Sequence, residues 1–253
     1  MRVLVVLPTF NEAANIDNVL RKVRDALPEA EILVVDDSSP DGTAKIAEDT
    51  AALLGGVEVL SRPAKSGLGS AYKDGFRWGL ERGFEAFVEM DSDLQHDPAA
   101  LPGLLAPLGA GAEVAIGSRY VPGGSIPNWS LPRRLLSRGG NLYADLLLGL
   151  HVRDSTAGFR AYAATVLRRI DLDRIRADSY GFQIEMTFRA LEVGAVVREV
   201  PIRFSDREMG SSKMSAFTVA EALGLVTLWG LQRLGGRLGL RKGAGTASRR
   251  APR

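Results

Sequence analysis

The sequence predicts an α/β protein built on a mainly parallel central sheet flanked by helices. Short runs rich in Val, Ile and Leu alternate with helical stretches over the first 120 residues, as expected for buried parallel strands linked by helices. Polar residues gather directly after three of these runs, at the edge where open parallel sheets bind ligands. The length of 253 residues suits one domain of this kind with a C-terminal appendage.

Each element of the first half follows from its local pattern. The apolar runs predict strands at 2–7, 31–35, 57–60, 86–90 and 114–116. The segments between them predict helices at about 12–26, 41–54, 68–82 and 98–108. Ser39 as the N-cap and Pro40 at the first helical position predict the start of the second helix.

The second half has a looser pattern, which begins with a Gly/Pro-rich loop at 121–127. Further helices are expected at about 132–149 and 181–193, with a strand near 196–204. An apolar, amphipathic C-terminal helix is expected at 216–240. Its uninterrupted apolar stretch is far shorter than the ~20 residues that span a bilayer, so we interpret it as a packed or interfacial helix.

Charge divides the chain into three segments. The net charge is +2, and the part after Glu221 contains seven Arg and Lys residues but no Asp or Glu, which leaves −5 for residues 1–221. Together with the predicted elements, this distribution divides the chain into an α/β domain at 1–215, the C-terminal helix at 216–240 and a basic disordered tail at 241–253. The tail suits an anionic membrane surface, whereas the acidic core argues against nucleic acid as a partner. The absence of cysteine fits a reducing cytoplasm.

A candidate metal site follows the fourth predicted strand, at Asp91, Asp93 and Gln95. In an extended segment these three side chains would point the same way, and oxygen ligands suit Mg2+ or a similar hard cation. Such a cation would neutralise a diphosphate leaving group. The alternative is that the triplet only caps a turn.

Three further parts of the sequence are candidates for ligand binding. Asp36 and Asp37 follow the second strand and should have different tasks, because adjacent strand residues face opposite sides. The Gly-containing loop at 65–69 precedes a helix but lacks a P-loop pattern. The basic group suits phosphate oxygens and includes Arg119, Arg133 with Ser137 one helical turn later, Arg207 and Lys213.

Seven motifs together resemble the dolichol- or polyprenol-phosphate mannosyltransferases of glycosyltransferase family 2. In chain order they are LPTFNE (7–12), VDDSSPDGT (35–43), KSGLGSA (65–71), DSDLQH (91–96), GSRY (117–120), DSTAGFR (154–160) and DREMGSSK (206–213). The resemblance covers roughly residues 3–215 and implies the GT-A nucleotide-diphospho-sugar transferase fold. It implies transfer of mannose from GDP-mannose to a polyprenyl phosphate, with inversion and with Mg2+ or Mn2+.

The resemblance also implies roles for individual residues. Catalysis would involve Asp91, Asp93 and Arg119, and the metal would be bound by Asp91, Asp93 and Gln95. The donor would be bound by Pro8, Phe10, Glu12, Val35, Asp37, Asp91, Ser92, Asp93, Gln95, Arg119, Arg207 and Lys213. The acceptor phosphate would be bound by Arg119, Arg133, Ser137 and Lys213. The expected location is the cytoplasmic face of the membrane, where a separate membrane protein could serve as an anchor.

Two alternatives remain at this stage. The same fold and acceptor would serve a UDP-glucose or UDP-GlcNAc donor, and a non-catalytic sugar-nucleotide-binding scaffold would share the fold. A polyprenyl monophosphate is largely dianionic at neutral pH, so its attack requires no general base. The nearest candidate for such a base, Glu185, is better explained as an exposed helix carboxylate.

Overall fold

A seven-stranded sheet forms the centre of the protein in a computed structural model that describes residues 1–205 and 216–237. The strand order is β3-β2-β1-β4-β6-β5-β7, and β6 runs antiparallel to both of its neighbours. The strands are β1 (Val3–Thr9), β2 (Glu31–Asp36), β3 (Val57–Ser61), β4 (Ala86–Glu89), β5 (Val114–Ser118), β6 (Arg160–Ala163) and β7 (Val197–Pro201).

Helices cover both faces of this sheet. They are α1 (Ile16–Ala26), α2 (Thr43–Leu54), α3 (Leu68–Glu81), α4 (Leu101–Gly109), α5 (Leu131–Leu148), α6 (Ala164–Arg169), α7 (Ser179–Glu192) and α8 (Ala216–Arg237), with short 3-10 turns at Pro98–Ala100 and Leu172–Arg174. Alternate residues of β1 supply two cores. Leu4 and Val6 pack with α3 and α7, while Val5 and Leu7 pack with α1 and α4. This alternation is that of a strand buried on both faces.

The five strands expected in the first half are present, each within two residues of its expected bounds. The antiparallel strand β6 was not predicted, because its sequence RAYA contains an arginine and two alanines rather than an apolar run rich in Val, Ile and Leu. The predicted start of α2 is wrong. This helix begins at Thr43 after Gly42, whose φ is 87°, and the Ser39 hydroxyl donates a hydrogen bond to the Asp36 carboxylate instead.

The C-terminal helix α8 packs against α5 and α7. Ala222, Val226 and Trp229 are buried, and the Trp229 ring stacks on Phe188 with centroids 6.5 Å apart. None of the helices in the described residues has the length and apolarity needed to cross a membrane. The expected tail at 241–253 lies outside the described residues.

Candidate active site

A cavity of about 370 Å3 lies at the carboxyl ends of β1, β2 and β4. Within the sheet, β2 lies on one side of β1 and β4 lies on the other side. The cavity therefore lies where the strand order reverses, which is the usual ligand site of an open α/β sheet. Its lining includes most of the expected donor and metal residues, namely Pro8, Phe10, Glu12, Asp37, Asp91, Ser92, Asp93, Gln95 and Arg119.

The segment that contains Asp91, Asp93 and Gln95, which we call the acidic turn, is a turn rather than an extended strand. β4 ends at Glu89, and Leu94 has a φ of 59°. The backbone N–H of Gln95 donates to Asp93 Oδ1 at 3.1 Å. The extended geometry that we predicted for this segment is therefore wrong, although all three side chains do line one cavity.

Left-handed backbone recurs in the loops that build this cavity. Asn11 after β1, Ser38 after β2 and Leu94 after β4 have φ values of 59°, 55° and 59°. Residues with side chains rarely adopt this conformation, and such strain concentrates at functional sites. Hydrogen bonds stabilise the loops that contain these residues. For example, Ser92 Oγ donates a hydrogen bond to the Pro8 carbonyl at 3.1 Å.

Asp36 and Asp37 have different tasks. Asp36 is buried and accepts hydrogen bonds from the hydroxyls of Thr9 and Ser39, so it fixes the loop after β2. Asp37 lines the cavity, and its Oδ1 accepts from the Arg62 guanidinium at 2.7 Å. The carboxylate that faces the ligand space is thereby held in one orientation.

The loop at 65–69 contributes to the same wall. Lys65, Gly67 and Leu68 line the cavity, and the Lys65 ammonium lies 4.1 Å from the centroid of the Phe10 ring. This cation–π contact places a positive charge beside an aromatic ring that is expected to contact the nucleoside.

Arg119 is held by a buried carboxylate. Its Nε and a terminal nitrogen donate to the two oxygens of Asp154 at 2.7 and 2.6 Å, and its backbone N–H donates to the same group at 2.9 Å. Asp154 is fully buried. This bidentate geometry is the strongest form of the pair, and it presents the guanidinium to the cavity in a fixed position.

A second cavity, of about 440 Å3, continues from the first between α5 and α8. The two share Arg119, Trp129, Arg133 and Thr156. The rest of the second cavity is mostly apolar and is lined by Leu136, Ser137, Gly139, Gly140, Tyr143, Ile184, Ala222, Leu223 and Val226. The Arg133 guanidinium stacks 3.9 Å from the centroid of Trp129, and Ser137 Oγ accepts from the Tyr120 hydroxyl at 2.7 Å.

Buried ionisable groups support the floor of the site. Burial raises the pKa of Glu89 to about 8, against the opposing charge of Arg160, its partner across the sheet. Burial also raises the pKa of Tyr72, whose hydroxyl donates to Asp91 Oδ1 at 3.2 Å. Burial lowers the pKa of His96 to about 3, so its ring, stacked on Phe159, is neutral.

The donor atoms of the acidic turn fit a hard divalent cation. Asp91 and Asp93 supply two carboxylates, and Gln95 supplies one amide oxygen. In the described part of the chain, no three His, Cys, Asp or Glu side chains lie together as possible metal ligands. Mg2+ is commonly bound by one or two carboxylates together with substrate phosphates. A Cβ added at Gly158 would lie 3.5 Å from Asp91 Oδ2, so glycine leaves that oxygen open toward the cavity.

Some expected site residues lie elsewhere. The Val35 side chain is fully buried in the core and does not line the cavity. Arg207 and Lys213 lie outside the described residues. Glu185 is not an exposed carboxylate, because it is buried and accepts from the backbone N–H groups of Arg176 and Ala177 at 3.0 Å each. It anchors the loop before α7 and lines neither cavity.

The sequence did not reveal the residues that hold the site together. Arg62 follows the end of β3, so a basic residue at a strand end was an available signal. Asp154 begins the DSTAGFR motif (154–160), but nothing in that motif indicated its partner, because Arg119 lies 35 residues away in the sequence. Trp129, which lies between the two arginines at 5.4 and 3.9 Å, follows a Gly/Pro-rich loop and was not singled out.

The fold and the acidic, strand-end cavity define a glycosyltransferase with the GT-A fold. The model of the family described as "Glycosyl transferase family 2" matches residues 4–171. An undecaprenyl-phosphate mannosyltransferase of Micrococcus luteus is 51% identical over 95% of this chain and 100% of its own length. A polyprenol monophosphomannose synthase of Mycolicibacterium smegmatis is 48% identical over 96% of this chain and 91% of its own.

A solved structure shows the same fold at low identity. The mannosyltransferase PcManGT of Pyrobaculum calidifontis, in complex with GDP-Man and Mn2+, superposes with a TM-score of 0.55 at 17% identity, over 97% of this chain and 76% of its own. The protein described here belongs to glycosyl transferase family 2.

Proposed function

We propose that this enzyme transfers mannose from GDP-mannose to a polyprenyl monophosphate with inversion, giving polyprenyl-phosphate β-mannose and GDP. The names of the two bacterial relatives support this activity for a chain of nearly the same length. The resemblance of the acidic and basic motifs supports the assignment of donor and acceptor to the two cavities.

One observation carries the proposal, namely that a polar cavity and an apolar cavity meet at arginine side chains. Arg119 and Arg133 line both. A sugar nucleotide would occupy the first cavity with its diphosphate at the acidic turn. A lipid phosphate would lie at the junction, near Ser137, with its chain in the apolar cavity. Guanidinium groups offset the repulsion between two such anions.

The chemistry is a single displacement at the anomeric carbon. An oxygen of the acceptor phosphate forms a bond to this carbon while the bond to the diphosphate oxygen breaks, and GDP leaves with the electron pair. The acceptor oxygen is already anionic, so no side chain has to remove a proton. This agrees with the position of Glu185, which was the best candidate for a general base in the sequence but is buried and has a structural role.

A divalent cation bound by Asp91, Asp93 and Gln95 would stabilise the negative charge of the departing diphosphate. Asp37, held by Arg62, would accept hydrogen bonds from the nucleoside. Phe10 and Glu12, which line the same cavity, would also contact the nucleoside. Arg207 and Lys213 would add positive charge at the phosphates.

The test is incubation with radiolabelled GDP-mannose, polyprenyl phosphate and Mn2+ or Mg2+, followed by extraction into organic solvent. Label in the organic phase is the expected result. Parallel incubations with UDP-glucose and UDP-GlcNAc should give none, and GDP with Mn2+ should raise the melting temperature more than UDP with Mn2+. Transfer from a UDP-sugar alone would overturn the donor assignment, and no transfer from any donor would favour a scaffold.

A matched pair of variants tests the acidic turn. Asp93→Asn keeps an oxygen that accepts the Gln95 N–H but removes charge, and should abolish transfer without unfolding the protein. Asp97→Asn is the control, because Asp97 is exposed, lies outside the cavity and caps a short 3-10 turn, a task that Asn also performs. Equal activity in the two variants would remove the metal-binding role.

We also propose a peripheral location at the inner face of the membrane. The basic residues after α8, Arg241, Lys242, Arg249, Arg250 and Arg253, would add attraction to an anionic leaflet at about 1 kcal/mol for each residue near the surface. A separate membrane protein could provide a further anchor. Removal of residues 238–253 should weaken vesicle binding more than transfer to a short, water-soluble acceptor, and equal loss in both assays would contradict the membrane role of the tail.

A further inference from the structure

Tyr72 of α3 lies behind the acidic turn, on the side of the protein interior. Its side chain is fully buried, and its hydroxyl donates a hydrogen bond to Asp91 Oδ1 at 3.2 Å. A tyrosine hydroxyl is protonated at neutral pH and can therefore act as a donor. The lining of the polar cavity includes Asp91 but not Tyr72, so Tyr72 contacts this carboxylate from the interior rather than from the ligand space.

The close approach of α3 to the sheet fixes the position of Tyr72. Gly75 and Gly79 follow Tyr72 on the same, buried side of the helix. A Cβ added at Gly75 would lie 2.5 Å from Val6 Cγ1, so the helix backbone packs directly on the side chains of β1. Because such an interior is close-packed, the helix that carries Tyr72 has little freedom to shift relative to the sheet beside Asp91.

Aromatic neighbours fix the orientation of the Tyr72 ring. It stacks on Phe182 of α7, with the centroids 5.8 Å apart and an angle of 8° between the planes. It also stacks on Phe76 of α3 at 6.1 Å and 25°. Aromatic pairs of this kind stabilise a core beyond the area that they bury. The hydroxyl is therefore held toward Asp91 by the packing of the ring.

The two oxygens of Asp91 have different surroundings. Oδ1 accepts the hydrogen bond from Tyr72. Oδ2 lies on the side of Gly158, where an added Cβ would be 3.5 Å away, and Gly158 lines the polar cavity. A carboxylate held in this way presents Oδ2 to a cation in the cavity, while Oδ1 is already used.

Binding through one oxygen of Asp91 favours a small cation with strict geometry. Mg2+ requires near-octahedral coordination and is bound by few protein carboxylates, and Mn2+ suits the same oxygen ligands. Ca2+ takes more oxygen ligands in flexible geometry and often binds both oxygens of one carboxylate. A hydrogen bond that occupies Oδ1 therefore acts against Ca2+ more than against Mg2+ or Mn2+.

We propose that Tyr72 is a positioning residue that restricts Asp91 to binding through one oxygen and thereby selects Mg2+ or Mn2+ over Ca2+. The inference rests on the proposed function in one respect, which is that Asp91 binds the cation of the donor diphosphate. It goes beyond that function, because it names a residue outside the cavity that decides which cation is bound.

The test measures the dissociation constants of Mn2+ and Ca2+ for the wild type and for Tyr72→Phe, which keeps the ring and removes only the hydroxyl. Isothermal titration calorimetry with saturating GDP supplies both constants, after correction for metal binding to free GDP. Mn2+ should bind about tenfold more weakly to the variant, because a ligand loses its outer partner. Ca2+ should bind no more weakly, since Oδ1 becomes available to it. The ratio of the Ca2+ constant to the Mn2+ constant should therefore fall about tenfold, and this ratio does not depend on the folded fraction of the sample.

Tyr162→Phe is the matched control. Tyr162 is also fully buried, and its ring also contacts Phe76, with the centroids 5.7 Å apart. Among the described residues its hydroxyl makes no hydrogen bond to Asp91. The control therefore loses a hydroxyl from the same core and should keep the wild-type ratio of the two constants.

The outcomes separate this proposal from the proposed function. Equal weakening of Mn2+ and Ca2+ in Tyr72→Phe would mean a merely structural role and would overturn the proposal, as would an unchanged Mn2+ constant. Parallel titrations with UDP keep the comparison valid if the donor nucleotide is a different one. If the wild type binds Mn2+ but transfers no mannose, the proposed function fails, and the ratio still decides the role of Tyr72. No binding of Mn2+ by the wild type with either nucleotide would overturn both.

Discussion

The buried pair between Arg119 and Asp154 leads to a quantitative prediction for Asp154→Asn. Asp154 is fully buried, and its two oxygens accept hydrogen bonds from three nitrogens of Arg119 at 2.6 to 2.9 Å. Asparagine has the same shape but only one acceptor oxygen, so its side-chain NH2 group would face an N–H donor of Arg119. The variant removes the buried charge that pairs with the Arg119 guanidinium, and the loss of one member of a buried ion pair typically costs about 3–5 kcal/mol.

Urea unfolding followed by tryptophan fluorescence measures this cost, because Trp129 lies 5.4 Å from the Arg119 guanidinium. Asp49→Asn is the control, since it breaks an exposed pair with Lys45, and we expect little or no loss of stability. The double variant Arg119→Met, Asp154→Asn should recover part of the stability but none of the mannose transfer. A loss for Asp154→Asn as small as that of the control would refute the reasoning.

Three further predictions concern packing, pH and the cation. Gly79→Ala should lower the free energy of unfolding by about 1–3 kcal/mol, because its Cβ would overlap the ring of Phe87. Gly103→Ala is the control. Its Cβ would have nothing within 4 Å, so in the same urea assay the free energy of unfolding should rise by up to about 1 kcal/mol. Burial raises the pKa of Glu89 from 4.5 to about 8, so the contribution of this residue to stability should fall as pH rises across this range. In metal-free buffer, Glu89→Gln should therefore flatten the pH dependence of the melting temperature. An unchanged slope would contradict the raised pKa. Gly158→Ala should keep the stability of the ligand-free protein but reduce the rise in melting temperature caused by GDP with Mn2+, because its methyl group would lie 3.5 Å from Asp91 Oδ2.

The sheet was predictable because its strands have a simple pattern. Strands buried on both faces are continuous apolar runs, and five such runs in the first half correspond to β1 to β5. β6 is as short as β4 but includes the buried Arg160 and two alanines in place of an apolar run, so its composition did not indicate a strand. Ser39 failed as an N-cap because its hydroxyl hydrogen-bonds to Asp36, a competition that depends on the loop's own geometry.

The candidate active-site cavity was predictable for a different reason, which is that strand ends meet at one edge of the sheet. Topology alone predicts that Asp37 and Asp91 lie in one cavity, without knowledge of any side-chain position. The predicted alternation of Asp91, Asp93 and Gln95 along an extended segment is wrong, because Leu94 takes a left-handed conformation. Topology therefore predicts which residues meet, while local backbone conformation decides how they are presented.

The residues that sequence reasoning missed are mainly the partners that hold the predicted charges. Arg62 orients Asp37 and Asp154 orients Arg119, and in each pair one member lines the cavity while both are almost completely buried. A charge fixed in advance stabilises a reacting anion without the cost of reorganisation during the reaction. Such partners must come from other parts of the fold, because a sequence neighbour moves with the loop that it would have to fix. The charges expected to bind ligands can therefore be predicted from motifs, whereas the charges that orient them become visible only in three dimensions.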